Sequence, residues 1–116
     1  IRARSLEPWA AQVRALARLP NVWCKLSGLV TEAYWTRWQA EDFRPYLDVI
    51  LEAFGARRLL YGSDWPVCLV AATYARGLEL VRELIGGLSV SEQDAILGGN
   101  ALEFYGIGVP PAMLER

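Results

Sequence analysis

The chain has 116 residues, of which 53% are hydrophobic, 22% charged and none histidine, a composition typical of one folded domain or part of one. Twelve basic and thirteen acidic residues give a formal net charge of −1, and no basic stripe follows the chain, so we expect no nucleic-acid partner. The lack of histidine excludes a Ser-His-Asp triad, a Cys-His pair and a His-rich zinc site within these residues.

The first half of the chain alternates between helical and extended patterns. Apolar residues at three- and four-residue steps predict a helix over residues 5–18, with Ser5 as its N-cap. Residues 22–28, of sequence VWCKLSG, predict a strand, and residues 29–42 are interpreted as a long loop with a short helical turn. A second amphipathic helix follows and is predicted to end with Gly55 as its C-terminal cap.

The second half continues this alternation. The apolar run 59–62 is typical of a parallel strand that is buried on both faces, and a third helix is predicted over residues 72–85. Residues 89–92, of sequence SVSE, predict a capping box that opens a further short helix. We expect Gly98 and Gly99 to interrupt that helix and Asn100 to cap a last turn.

Strands and helices that alternate at intervals of about 30 residues predict βαβ crossovers and a parallel sheet, the α/β class. Two strands with three or four amphipathic helices leave strand edges unpaired and apolar faces uncovered. The pattern therefore predicts part of a larger α/β fold, and a (β/α)8 barrel of about 250 residues could contain it as its last quarter or a little more. We expect the barrel segment to cover residues 1–107 and an extended tail to cover residues 108–116.

The cysteines and the apolar runs indicate the cell compartment in which we expect the protein. Cys24 and Cys68 have no C-x-x-C spacing and are interpreted as buried thiols. No apolar run approaches the ~18 residues that span a bilayer, and the first residues lack a signal-peptide core. We therefore expect a cytoplasmic protein without a membrane partner. Because the sequence begins with Ile1 and not with methionine, we also expect it to be a piece of a longer chain.

Asp64 is the strongest candidate for chemistry because it follows the predicted strand 59–62 directly. Open α/β sheets and barrels place their active sites at the carboxyl ends of their strands. A carboxylate there can bind a divalent metal or move a proton. The alternative, equally open at this point, is that Asp64 caps the following segment or closes an Asx-turn.

Three further residues are candidates for substrate binding. Glu32 could contact a substrate hydroxyl or pair with an arginine, or it could be a solvated loop charge. Trp35, with Trp38, could line a pocket mouth where a sugar ring stacks, or the two rings could attach the loop to the body of the protein. Trp65 could form a pocket wall or fill the core beneath its loop. Arginines such as Arg57 and Arg58 are interpreted as solvated charges.

Several segments together resemble the C-terminal part of the amidohydrolase-related family: GSDWP at 62–66, CKLSG at 24–28, TEA at 31–33 and GNALEFY at 99–105. The resemblance extends from residue 5 to about residue 107 and is closest to the sugar-lactone and dicarboxylate-lactone hydrolases. It implies a distorted TIM barrel in which residues 22–28 form strand seven and residues 59–62 form strand eight. It also implies that Asp64 is the acid/base residue and, in many members, a metal ligand.

The activity that this resemblance implies is the opening of a lactone by water, in which Asp64 accepts the proton of the water and returns it to the departing alkoxide. The family's other metal ligands are histidines, so the remainder of the barrel would have to supply them, and we expect the 116 residues alone to be inactive. One divalent ion, zinc or manganese, is the implied cofactor, although some members work without a tightly held metal. The alternative function is a noncatalytic α/β module that pairs with another chain or another copy of itself.

Overall fold

The computed structural model describes residues 1–108, and the predicted tail lies outside these residues except for Gly108. Helices alternate with two strands along the chain. The elements are α1 (Trp9–Ala17), β1 (Cys24–Leu26), α2 (Arg44–Phe54), β2 (Leu59–Tyr61), α3 (Tyr74–Leu84), α4 (Val90–Asp94) and α5 (Asn100–Tyr105). Short 3₁₀ turns lie at Val30–Glu32, Ala40–Asp42, Ala56–Arg58 and Val67–Val70, and a π-helical turn at Ala95–Gly99 joins α4 to α5.

Strands β1 and β2 pair in parallel, with Cys24 opposite Leu59 and Leu26 opposite Tyr61. The α/β class and the parallel pairing are thus confirmed, although each strand is shorter than predicted. Within residues 1–108 the sheet has these two strands only. The exposed Lys25 of β1 lies 5.5 Å from the ring centroid of Tyr105, which gives its ammonium group an aromatic contact.

The core lies between the two strands and the helices that flank them. Its largest fully buried side chains are Leu26, Phe43, Leu59, Leu80, Ile85 and Ile96. Burying an aliphatic or aromatic side chain of this size contributes about 1.5–3 kcal/mol, and Leu26 and Leu59 bring this contribution to the two strands. Helix α2 buries the apolar face predicted for it and ends at Gly55, whose φ of +72° suits glycine.

Helix α1 begins later than predicted. Its N-cap position is Pro8, and the hydroxyl of Ser5 donates a hydrogen bond to the carbonyl of Glu7 instead of capping the helix. A residue that precedes proline is disfavoured in the helical conformation, so Glu7 cannot belong to the first turn. No helix within residues 1–108 is long and apolar enough to cross a membrane. Cys68 is buried as predicted, whereas Cys24 is only half-buried.

The predicted interruption at Gly98 and Gly99 takes the form of a π-helical turn between α4 and α5 rather than a break in the helical path. The capping box forms, because Ser89 Oγ accepts from the backbone N–H of Glu92 at 3.1 Å and Glu92 Oε1 accepts from that of Ser89 at 3.2 Å. The chain then continues through the π-helical turn into α5. Glycine keeps its backbone donor, so the two glycines weaken the α-helix without ending it, and the hydrogen bonds continue in a π-helical pattern through Gly99.

Asn100 also differs from its prediction, because it caps no helix. It is only 2% exposed, and its Nδ2 donates to the carbonyls of Ala56 and Leu59, both at 2.7 Å. These two bonds attach α5 to the start of β2.

Arg58 is not a solvated charge. Its guanidinium group donates to the carbonyls of Ala17 at 2.9 Å and of Leu19 and Val22 at 3.0 Å. Carbonyls at the end of a helix have no partner within the helix, and Arg58 supplies one where α1 ends and the chain turns toward β1. The neighbouring Arg57 is exposed, as predicted.

Candidate functional site

Asp64 lies where the two parallel strands end. It follows β2 by three residues and has a φ of +56°, in the left-handed region that few residues other than glycine occupy and that aspartate tolerates. The backbone N–H of Trp65 donates to Ser63 Oγ at 3.2 Å, and that of Cys68 donates to the backbone carbonyl of Asp64 at 2.8 Å. These bonds fix the turn that carries the half-buried carboxylate.

The interpretation of Asp64 as a local cap does not agree with this geometry. A cap or an Asx-turn requires the carboxylate to accept a backbone N–H one to three residues later. Within residues 1–108, the carboxylate of Asp64 accepts no hydrogen bond, and helix α3 is capped instead by the hydroxyl of Thr73. Both carboxylate oxygens are therefore free of intramolecular donors within this part of the chain.

The carboxylate of Asp64 lies against Gly28, at the end of β1. A Cβ on Gly28 would stand 3.5 Å from Asp64 Oδ2 and 3.7 Å from Thr31 Oγ1. Gly28 has a φ of +70°, and the hydroxyl of Thr31 donates to its carbonyl at 2.7 Å. The two strand ends approach more closely at Gly62, where a Cβ would stand 3.1 Å from Ser27 Oγ.

Two cavities meet at this edge of the sheet. The smaller, of about 20 Å³, is lined by Asp64 and Gly28 together with Tyr61 and Cys68, and it has room for about one water molecule. The larger, of about 430 Å³, is lined by Gly28 and Glu32, with Lys25 and Ser27 beside them. Its volume is in the range of small-molecule sites, and both cavities share Gly28 as a wall.

Tyr61 is a polar residue of this site that the sequence did not indicate. Burial raises the pKa of its phenol, and Tyr74 and Cys68 raise it further, so the hydroxyl stays protonated at neutral pH and can donate a hydrogen bond. Its position as the last residue of a strand is the one signal that could have identified it.

The structure does not bring the three predicted substrate-binding residues together in one cavity. Glu32 is exposed and borders the larger cavity. Trp35 is 48% exposed and lines neither cavity; its Nε1 donates to the carbonyl of Thr31 at 3.0 Å. Trp65 is 62% exposed, so it does not fill the core beneath its loop, and it too lines neither cavity. For Trp38 the structure agrees with the alternative that it attaches its loop, through a hydrogen bond from Nε1 to the carbonyl of Ala71 at 2.9 Å.

The described residues do not form a metal site by themselves. Within residues 1–108, no three side chains of the types His, Cys, Asp and Glu come close enough together to hold an ion. A protein zinc site needs three or four such ligands. Asp64 can therefore be at most one ligand of an ion whose other ligands lie elsewhere.

The proteins that are similar to this chain include two curated relatives and a crystal structure. It is 50% identical over 111 residues to an L-fucono-1,5-lactonase of Burkholderia multivorans, covering 91% of this chain and 38% of the relative. It is 38% identical over 108 residues to an L-fucono-1,5-lactonase of Burkholderia ambifaria, covering 90% and 37%. The crystal structure of a Burkholderia multivorans amidohydrolase with bound zinc superposes with a TM-score of 0.83 at 46% identity, covering 86% of this chain and 37% of that one.

The chain thus spans less than two fifths of the length of these relatives. A family model, Amidohydro_2, described as amidohydrolase, matches residues 1–107, which is nearly the whole sequence. The chain therefore belongs to the amidohydrolase family.

Proposed function

We propose that this chain is the C-terminal part of a hydrolase that opens a lactone with water, and that Asp64 is its acid/base residue. The observation that carries the proposal is the carboxylate of Asp64. It is half-buried, lies where two parallel strands end, and receives no hydrogen bond from residues 1–108. A carboxylate in this state can accept a proton from water without first losing an intramolecular partner.

We place β1 as strand seven and β2 as strand eight of a (β/α)8 barrel. The parallel pair, with a helix between its strands, supports this placement, as does the TM-score of 0.83 against a chain of which it covers 37%. In such barrels the active site lies at the carboxyl ends of the strands, which is where Asp64 and the two cavities are found.

The names of both curated relatives support a sugar lactone as substrate. The larger cavity suits a small polar ring, because Glu32, Lys25 and Ser27 line it with groups that can bond hydroxyls. We assign Glu32 to a substrate hydroxyl. Trp35 and Trp65 lie outside both cavities, so any contact they make would be with a part of the substrate that extends beyond this site.

In the proposed reaction, Asp64 accepts a proton from a water molecule while the water oxygen bonds to the lactone carbonyl carbon. The tetrahedral intermediate then breaks the bond to the ring oxygen, and Asp64 returns the proton to that alkoxide. The products are a hydroxyl and a carboxylic acid on one open chain. Because residues 1–108 contain no group of three side chains that could hold a divalent ion, we assign no step to a metal.

The test uses the full-length protein that contains this chain, with L-fucono-1,5-lactone as substrate and acid release as the assay. Asn has the shape of Asp and tolerates a positive φ, so Asp64→Asn removes the base and preserves the fold. We expect kcat to fall by about 10²–10⁴, the usual contribution of general acid–base catalysis. The matched control is Asp48→Asn, on the exposed face of α2, which should keep wild-type kcat. Wild-type kcat in Asp64→Asn would exclude the proposed role.

A further inference from the structure

We propose that the hydroxyl of Ser27 donates a hydrogen bond to the carbonyl oxygen of the lactone while water adds to the carbonyl carbon. The inference rests on the proposed function of Asp64 and adds a second residue of this chain that contacts the reacting group. Ser27 transfers no proton in this step. The proton of the water goes to Asp64, and the hydrogen bond from Ser27 stabilises the negative charge that forms on the carbonyl oxygen.

Ser27 lies at the boundary between the two cavities. It lines the small cavity together with Asp64, and it lines the larger cavity together with Glu32. The small cavity, of about 20 Å³, has room for the one water molecule that Asp64 would deprotonate, and we assign the larger cavity to the substrate. The carbonyl group that this water attacks would therefore lie at the boundary, next to Ser27.

The hydroxyl of Ser27 is available for such a bond. Ser27 follows β1 directly and is exposed, and its hydroxyl takes part in no hydrogen bond within residues 1–108. Two other hydroxyls at these strand ends are engaged. That of Thr31 donates to the carbonyl of Gly28 at 2.7 Å, and that of Ser63 accepts from a backbone N–H at 3.2 Å. The latter two hydroxyls thus support the local backbone, whereas that of Ser27 does not.

The carboxylate and the hydroxyl are close to each other in space. Asp64 Oδ2 lies 3.5 Å from the place of a Cβ on Gly28, which is the residue after Ser27. Because successive Cα atoms are about 3.8 Å apart, Oδ2 lies within about 9 Å of the Cα of Ser27. That separation can accommodate a water molecule and a carbonyl group between the base and the donor.

Strand β2 limits where the hydroxyl of Ser27 can lie. A Cβ on Gly62 would stand 3.1 Å from Ser27 Oγ and 3.2 Å from Ser27 Cβ, which is closer than side chains normally approach. Gly62 has no positive φ, so its backbone conformation does not require glycine. The close approach of Ser27 is the feature at this position that a larger residue would disturb.

The test measures kcat, KM and Tm of Ser27→Ala in the full-length protein, with L-fucono-1,5-lactone as substrate. We expect kcat to fall by about 10²–10³, the usual effect of removing one donor to a developing oxyanion, with KM within about threefold. Tm should stay within about 2 °C, because the hydroxyl forms no hydrogen bond within residues 1–108. The matched control is Ser91→Ala, at an exposed position of α4 that lines neither cavity, which should keep wild-type kcat.

Gly62→Ala is the second variant, because it crowds the hydroxyl of Ser27 without removing it and without strain from a positive φ. A shift of a few tenths of an ångström should lower kcat by about threefold to tenfold. The double variant with Ser27→Ala should have the kcat of Ser27→Ala alone, since the displaced group is then absent. Gly87→Ala, with nothing within 4 Å of the place of its Cβ, is the control and should keep wild-type kcat.

The outcomes separate this inference from the proposed function. Loss of kcat in Asp64→Asn together with wild-type kcat in Ser27→Ala would overturn the role of Ser27 and leave Asp64 as the base. A higher KM with unchanged kcat in Ser27→Ala would place the hydroxyl on a part of the substrate that does not react, which also overturns the role. A fall in Tm of more than about 5 °C would assign the hydroxyl to the fold and overturn it as well. Wild-type activity in Asp64→Asn would overturn both proposals.

Discussion

Replacing Arg58 with methionine should destabilise the protein far more than the same change at Arg57. Methionine keeps an unbranched apolar stem of similar length, but it lacks the guanidinium group, whose carbon lies 5.1 Å from the centroid of the Phe54 ring. What is lost is the guanidinium group and its bonds to the carbonyls of Ala17, Leu19 and Val22.

The size of the effect follows from these bonds. Three of them measure 2.9–3.0 Å, and two longer ones, to the carbonyls of Phe54 and Ala53, measure 3.3 and 3.5 Å. A net contribution of about 1 kcal/mol for each short bond gives about 3 kcal/mol in total. Arg57 is exposed and donates one hydrogen bond, to Ser91 Oγ, so Arg57→Met should change stability by less than about 0.5 kcal/mol.

The assay is urea unfolding of the full-length protein, followed by circular dichroism, with thermal melting as a second measurement. A loss of about 3 kcal/mol corresponds to a fall of about 6–12 °C in Tm for a domain of this class. Arg58→Lys should recover only part of the loss, because a single ammonium group cannot reach carbonyls that lie in a fan around a planar guanidinium. Equal stability of Arg58→Met and Arg57→Met would refute the reasoning.

Three other predictions concern stability and reactivity. Asn100→Asp should lower the free energy of unfolding by about 3 kcal/mol or more, since it places a buried anion against two carbonyl oxygens, whereas the exposed Asn21→Asp should be nearly neutral by urea unfolding. Hydrogen bonds with Ser89 lower the pKa of Glu92 below 4.5, so the contribution of Glu92 to stability is present above that pH and is lost as the pH falls through the lowered pKa. In Glu92→Gln the free energy of unfolding should therefore depend less on pH in this acid range, as measured by acid unfolding. Burial raises the pKa of the Cys24 thiol above 9.0, so its alkylation, measured by peptide mass, should be slow at neutral pH and accelerate only in stronger base.

Local patterns in the sequence predicted most of the helices and both strands. The apolar face of α2 and its glycine cap, and the capping box at Ser89 and Glu92, depend on residues within one or two turns of each other. Such interactions join residues that are close together in the sequence, which is why their spacing alone identifies them. The parallel pairing of β1 and β2 followed from the helix between them, since parallel strands need a crossover of that kind.

The residues that were misjudged are those whose partners are far away in the chain. Arg57 and Arg58 are adjacent and chemically identical, yet Arg58 bonds to carbonyls 36 to 41 residues away while Arg57 lies in solvent. Asn100 bonds to carbonyls 41 and 44 residues away, and nothing in its own window shows that it is buried. A single sequence records which donors exist, but the fold decides which of them meet an unpaired carbonyl.

The site around Asp64 and Gly28 depends both on a local sequence pattern and on a contact between residues that are far apart in the chain. The position of Asp64 after a strand marked it as a candidate, but the same position fitted a cap equally well. Its contact with Gly28, 36 residues earlier in the chain, is what the window around Asp64 could not contain. The backbone of Asp64 is strained by its positive φ. Within residues 1–108 its side chain accepts no hydrogen bond that would offset this strain. An aspartate used only as a turn former would bond to its own backbone, so the observed geometry favours a carboxylate kept available for a ligand that comes from outside the chain.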